Sequence, residues 1–482
     1  MQYLSTRDSA LRVSAQEAIV RGLAPQSGLF VPESFPQADL DAWKNLSYPE
    51  LAEKVLAGFL TDYSADFLHT ATASTYGAAF GGKAGETVRV RDGLYSLELW
   101  HGPTCAFKDY ALQLMPKLLV EAKKMLGRTE TTRILVATSG DTGKAALAGY
   151  ADLDGIEIEV FYPNDGTSEI QHLQMATQKG ENVQVYAVQG NFDDAQTGVK
   201  KVFADAAVAG GLEKRGIRLS SANSINWGRL VPQIVYYFYA YFRLAEQGAV
   251  AWGKPVDFCV PTGNFGDILA GYYAKQMGLP VGKLVCASNK NNVLTDFLTT
   301  GTYDARRTFY KTTSPSMDIL ISSNLERLLC HVSGSSEKVA GWMQELNTTG
   351  KYTVDAETLE KIRETFAAGY ADDAEGAAEI KARFEEDHYL CDTHTAVAFR
   401  VAETVRTEAP MVVLSTASPF KFPRDVLAAL GQQAPVSDFA AMAALTAKTG
   451  AEAPASLREL DKQEVRFKTV LQPAEIRTAA LR

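Results

Sequence analysis

No stretch of this chain is both long and apolar enough to span a bilayer. The richest apolar run, Leu230 to Ala245, is interrupted by Pro232, Gln233 and Arg243 and reads instead as a buried helix rich in aromatics. The first thirty residues hold no continuous apolar segment of the secretory-signal kind. Cysteine is scarce: Cys105, Cys259, Cys286, Cys330 and Cys391 are scattered, odd in number and without a C-x-x-C pair. That excludes a disulfide framework and a cysteine zinc site and suits a reducing compartment. The six histidines show no metal-ligand spacing, so no metal is expected. Basic residues (48) are outnumbered by acidic ones (57), which argues against nucleic acid or an anionic membrane as partner. A locally positive pocket for a small anion remains compatible with that balance. The expectation is a cytoplasmic protein with a small-molecule partner.

What is present is ordinary globular composition, 46% hydrophobic and 22% charged, over 482 residues. At roughly 100–200 residues per domain this predicts two or three domains. Short β-like runs at Tyr95–Trp100, Arg133–Ala137, Glu157–Tyr162, Val183–Val188, Val256–Val260 and Met411–Leu414 predict strands buried on both faces. Helical patterns such as Tyr110–Met125 and Gly266–Met277 lie between them. Strand, glycine-rich turn and helix in repetition predict βαβ units, an α/β protein with mainly parallel sheets. Such sheets bind ligands at the carboxyl ends of their strands.

Five of those turns carry candidate chemistry. Pro261-Thr262-Gly263-Asn264-Phe265-Gly266-Asp267 opens a helix, and its glycines permit close backbone approach to a phosphate. The same residues also make a plain tight connection with Asp267 complementing the helix dipole. Thr138 to Lys144 resembles a Walker A loop, but Thr138 and Ala145 break that pattern. What remains is a cluster of hydroxyls and amides suited to a carboxylate, or a helix cap. Lys108, in His101–Asp109, follows Phe107 at a helix start. It reads as a partly desolvated Schiff-base lysine or as a surface lysine. Ser220–Arg229 offers Ser224, Asn226 and Arg229 as an anion clamp or as a capped polar loop. Leu414–Phe422 places a hydroxyl at a strand end, facing a heterocycle nitrogen or capping a turn. Ser168 to Gln171 reads as a capping box.

Taken together these segments resemble the threonine synthase family of pyridoxal-phosphate enzymes. The resemblance is carried by YLSTR at Tyr3, GLAP and GLFVP from Gly22 to Pro32, HGPTCAFKD, ATSGDTGKAA, and the YPNDGTSEIQ and GNFDDAQ stretches. SSANSINWGR, PTGNFGD and STASPFKF complete it. It implies the tryptophan synthase β-like fold, of type II among pyridoxal-phosphate enzymes: two doubly wound domains with an N-terminal α+β extension. The segments expected are 1–90 for that extension, 91–230 for a smaller domain with Lys108 and the SGDTG loop, 231–430 for a larger domain, and 431–482 for an extension packed on the larger one.

The resemblance also implies roles. Lys108 is the lysine that holds pyridoxal 5'-phosphate covalently. Gly263, Asn264, Phe265, Gly266 and Asp267 line the cofactor's phosphate loop, Thr416 meets its pyridine nitrogen, and Asp141 meets the ring edge. Ser139, Gly140 and Thr142 hold the substrate carboxylate. Ser224, Asn226 and Arg229, with Lys144 as a weaker candidate, contact the substrate phosphate. The implied reaction converts O-phospho-L-homoserine and water to L-threonine and phosphate, by a monomer or homodimer. The rivals are a dehydratase or β-replacement enzyme on the same fold, and a relative that binds ligand without making threonine.

Overall fold

A computed structural model describes residues 1–164, 167–405 and 407–482. Among the described residues the larger sheet has six strands, ordered Phe366–Tyr370, Val281–Ser288, Val256–Pro261, Met411–Ser415, Leu94–Glu98 and Glu86–Arg91. Neighbours run parallel except the last pair, which is antiparallel. The smaller sheet has five parallel strands, ordered Val470–Leu471, Val183–Val188, Ile156–Pro163, Thr131–Ala137 and Ile217–Ser220. An antiparallel sheet of Tyr3–Ser5, Asp8–Val13 and Phe30–Pro32 begins the chain, followed by the helices Tyr48–Phe59 and Ala65–Tyr76.

The alternation of side chains explains why both large sheets are covered on two faces. Along Val256–Pro261, which is buried throughout, Phe258 and Val260 join an aromatic core with Tyr237. Cys259, between them, joins a second core with Ala398 and Phe399. Successive residues of a strand point to opposite faces, so the sheet separates two cores. Thr131–Ala137 repeats the device: Ile134 and Val136 face one core, Leu135 another with Phe161 and Val199. This is the doubly wound α/β architecture the sequence predicts. The aromatic run is helical from Trp227–Leu230 through Val231–Gln233 to Ile234–Glu246, and mostly buried. Among the described residues no helix is long and apolar enough to cross a membrane.

The expected segment borders do not coincide with the sheets. Leu94–Glu98, placed by the sequence in the 91–230 unit, pairs with Met411–Ser415 in the larger sheet. Its apolar pattern fits either sheet, and only the long-range pairing decides. The 431–482 segment is likewise shared. Asp438–Thr449 packs on Pro423–Ala429 beside the larger sheet, while Val470–Leu471 extends the smaller sheet beside Ala187 and Val188. The helix expected over Tyr110–Met125 is two, Asp109–Leu112 and Met115–Met125. Pro116 lacks the N–H that would bond the Leu112 carbonyl, so the helix breaks before it. Asp165 and Gly166, in the YPNDGTSEIQ stretch, lie outside the described residues.

Candidate active site

Lys108 stands at the carboxyl end of the larger sheet, in the loop between Leu94–Glu98 and the Asp109–Leu112 helix. The loop is held from within. The buried Asp109 accepts from the Thr104 N–H and hydroxyl at 2.8 Å each and from Gln113 at 3.1 Å. Burial pushes the Asp109 carboxyl up to about 6 against those bonds. A Cβ on Gly102 would fall 2.5 Å from the Asp109 carboxylate, so only glycine fits there. The loop is also joined to the segment after Met411–Ser415: the Phe107 N–H donates to the Thr416 carbonyl at 2.8 Å, and the Ser418 N–H to the Cys105 carbonyl at 3.1 Å.

These ties leave the Lys108 side chain half-buried, its Nζ 5.1 Å from the centre of the Phe107 ring. Among the described residues Nζ makes no hydrogen bond or ion pair. Burial lowers its pKa to about 8; Asp141 and Asp267 oppose the shift, and Arg229 and Lys421 add to it. The desolvation expected from sequence is present, reinforced by two cations.

Asp141 begins the helix Asp141–Tyr150 after Thr131–Ala137, the neighbouring strand end on the smaller sheet. Its Oδ1 accepts from Lys421 Nζ at 2.8 Å and from Gln171 Nε2 at 3.1 Å. Burial would raise this carboxyl, but Lys421 and Lys108 outweigh burial and hold it well below the usual range. Ser139 and Thr142 are half-buried beside it. Gly140 departs from expectation: its amide donates to Thr138 Oγ1 at 3.0 Å and is not open to a substrate. What Gly140 provides is a φ of +150° and clearance, since a Cβ would sit 2.5 Å from the Gln171 side chain. Gln171 also completes the predicted capping box with Ser168.

The turn after Val256–Pro261 carries the anion-binding geometry. Phe265 takes a left-handed conformation (φ 63°) and caps the helix Gly266–Gln276. Among the described residues the backbone N–H groups of Gly263 through Asp267 find no acceptor, as expected of donors at a helix start. The loop's outer side is braced. Ser322 Oγ donates to the Gly263 carbonyl at 2.8 Å, and Asn324 donates to the Asn264 carbonyl from its backbone and side chain, each at 3.0 Å. A Cβ on Gly263 would lie 2.8 Å from the Ser316 carbonyl oxygen. The Asp267 carboxylate accepts from Tyr236 and Tyr237, which leaves its backbone N–H to the loop.

Thr416 is buried, and its hydroxyl makes no hydrogen bond among the described residues. Arg229 is buried, donates from Nη1 to the Ala222 carbonyl at 2.5 Å, and has a buried Nε without a partner among the described residues. Burial brings its pKa down to about 10. Ser224 is half-buried and bonds Ser323 and Asn324. Asn226 does not join this group. It is buried, accepts from the Gly228 N–H and donates to the Ile19 carbonyl at 2.9 Å, so each end of its amide holds structure. Lys144 Nζ is engaged with Gln178 Oε1 at 2.6 Å. Sequence reasoning missed Lys421 and Tyr236. Lys421 had one signal: Phe-Lys after a strand's carboxyl end occurs twice, at Phe107-Lys108 and Phe420-Lys421.

Three sequence-family models cover the chain. "Threonine synthase N terminus" matches residues 2–76, "Pyridoxal-phosphate dependent enzyme" 86–416, and "Threonine synthase, C-terminal" 395–479. The chain is 40% identical to the threonine synthase of Pseudomonas aeruginosa over 90% of its own length and 92% of that protein's. It is 41% identical to human threonine synthase-like 1, over 89% of its own length and 60% of that longer protein. The crystal structure of pyridoxal-phosphate-bound threonine synthase from Brucella melitensis superposes with a TM-score of 0.90 at 38% identity, covering 100% of this chain and 99% of that one.

Proposed function

Since this chain belongs to the threonine synthase family of pyridoxal-phosphate-dependent enzymes, we propose that it converts O-phospho-L-homoserine and water to L-threonine and phosphate. The net change breaks the Cγ–O bond of the substrate, places a hydroxyl from water on Cβ and leaves a proton on Cγ. The observation that carries this reading is a half-buried Lys108 amine, without a hydrogen bond or ion pair among the described residues, together with a turn of amides and a buried arginine Nε that likewise find no partner among them.

The residues suit pyridoxal phosphate on their chemistry. The amides of Gly263, Asn264, Phe265, Gly266 and Asp267 offer donors to a phosphate, and the missing Cβ at Gly263 keeps the loop tight against Ser316. Bound there, the cofactor supplies an electron sink for negative charge at the substrate Cα. Lys108, with its pKa lowered to about 8, has a neutral fraction near neutral pH and moves the protons at Cα and Cβ. With the cofactor bound, Thr416 would offer the ring nitrogen a neutral hydroxyl, which, unlike a carboxylate, does not favour protonation there. Asp141 would border the ring, and Ser139 and Thr142 would orient the substrate carboxylate. Arg229, with Ser224, binds the substrate phosphate and keeps that leaving group over Cγ.

The test is an absorption spectrum of the purified protein before and after O-phosphohomoserine, with phosphate and threonine assayed in the same sample. A cofactor band that shifts with substrate, is lost in Lys108→Ala, and accompanies both products supports the reading. A band without phosphate release overturns the substrate and keeps the cofactor.

A further inference from the structure

We infer that Lys421 is a positioning residue, a buried cation from the larger sheet that neutralises Asp141 on the smaller sheet and so fixes the charge and spacing around Lys108. The inference rests on Lys108 being the cofactor lysine. Lys421 lies in the turn Pro419–Lys421 after the Met411–Ser415 strand and has no accessible surface. Its ammonium reaches Asp141 Oδ1 at 2.8 Å and the Thr104 carbonyl at 3.1 Å. Three segments therefore meet on one nitrogen: the end of a strand in each sheet, and the loop that carries Lys108.

The Lys421 ammonium is engaged by Asp141 and the Thr104 carbonyl, so Lys421 acts through its neighbours. Helix geometry alone does not explain it. A carboxylate in the first turn of the Asp141–Tyr150 helix is already favoured by the helix dipole. Gln171 supplies a neutral donor to the same oxygen. Adding a buried ammonium brings a desolvation cost that a buried pair seldom recovers as stability. What it changes is the net charge beside the cofactor lysine. With Lys421 present, Asp141 is an ionised group whose charge is cancelled; without it, a bare carboxylate would face Lys108. The charged groups around the pair are Lys108, Asp109 and Lys144.

A double-mutant cycle tests this. Lys421→Met, Asp141→Asn, the double variant and Lys421→Arg are compared by three readouts. These are cofactor affinity of the apoprotein, followed by fluorescence on titration with pyridoxal phosphate, the apoprotein thermal midpoint, and kcat and KM. Lys421→Met is expected to lower the thermal midpoint, because it leaves the Asp141 charge buried and uncompensated, and to weaken cofactor affinity and kcat by roughly 10²-fold through that bare carboxylate beside Lys108. The double variant should return to within about threefold of Asp141→Asn alone, because the uncompensated charge is gone. Lys421→Arg, which keeps the charge, should stay within about tenfold of wild type. The inference is overturned if Lys421→Met matches wild type, or if the losses in the two single variants multiply in the double. Should Lys421→Met fail to fold, the double variant and Lys421→Arg decide on the same criteria. Lys108→Ala serves as the separate control. If that variant keeps the wild-type cofactor band, the assignment of Lys108 has failed, whatever the cycle gives.

Discussion

The Tyr236 hydroxyl donates to Asp267 Oδ1 at 2.5 Å, and the single Tyr237 hydroxyl proton is shared between the Asp267 carbonyl at 2.9 Å and Oδ1 at 3.1 Å, while Oδ2 stays buried without a partner among the described residues. Two neutral phenols do not repay the burial of a carboxylate, and burial pushes Asp267 up to about 7 despite them and Lys108. Its folded-state pKa lies above the unfolded value, so the native state binds the extra proton. Stability should fall as pH rises from about 4 to about 7, by an amount on the order of 2–4 kcal/mol for this group. Denaturant titrations of the apoprotein across that window should show a shallower fall for Asp267→Asn than for wild type. Equal slopes would reject the assignment.

Lys108 titrates in the opposite sense. Its lowered pKa, about 8, means the folded protein has shed a proton that the unfolded chain still holds up to about 10.5. The cost of burying this charge is therefore present at pH 7 and relieved as pH rises through that window. In the apoprotein, labelling by an amine-selective reagent should reach half its plateau near pH 8 at Lys108 and about two units higher at exposed lysines. Asp141→Asn should move the Lys108 midpoint lower, because it removes an anion that favours the ammonium. A midpoint unchanged from surface lysines would show that the amine is not desolvated.

Much of this arrangement was legible in the sequence, for reasons that differ by residue. Buried parallel strands announce themselves as unbroken apolar runs, and glycine marks the turns where backbone must come close, so Val256–Pro261 and the Gly263 loop were readable from local pattern. Leu94–Glu98 shows the limit: a strand buried on both faces carries no label for its neighbour. Lys421 shows another, since its role exists only through Asp141, on a different sheet. Asn226 misled because an asparagine that caps a helix and one that binds an anion look the same in sequence. Only the Ile19 carbonyl, brought in by the N-terminal segment, tells them apart.

That difference is measurable. Asn226→Ala removes the cap on the Trp227–Leu230 turn and the bond to Ile19, two buried interactions. A loss of about 1–3 kcal/mol in stability is expected, with KM for O-phosphohomoserine changed less than about twofold in the folded fraction. Ser224→Ala should show the reverse, little loss of stability and a raised KM. A large KM effect at Asn226 with no loss of stability would restore it to the substrate site.

Gly263 has no room for a side chain. The Cβ of alanine would lie 2.8 Å from the Ser316 carbonyl oxygen and 3.3 Å from Met317 Cα, both backbone atoms that are not free to swing away. Gly263→Ala should displace the loop and weaken cofactor affinity by about ten- to hundredfold, equivalent to roughly 1–3 kcal/mol of overpacking. The cofactor titration reads this directly, and wild-type affinity would mean the loop amides do not hold the phosphate.

Arg229 is the sharpest test of the substrate assignment because its geometry constrains what can replace it. One end of the guanidinium is committed to the Ala222 carbonyl, while the buried Nε has no partner among the described residues. A planar fork serves both directions at once, whereas an ammonium is a point charge on a shorter reach. Arg229→Lys should therefore raise KM for O-phosphohomoserine by at least about tenfold, with kcat and cofactor affinity much less affected. Arg229→Met removes a cation that lowers the Lys108 pKa, so the labelling midpoint of Lys108 should move upward in that variant. If Arg229→Lys lowers cofactor affinity and leaves KM unchanged, Arg229 belongs to the cofactor's phosphate and the substrate's must be sought elsewhere.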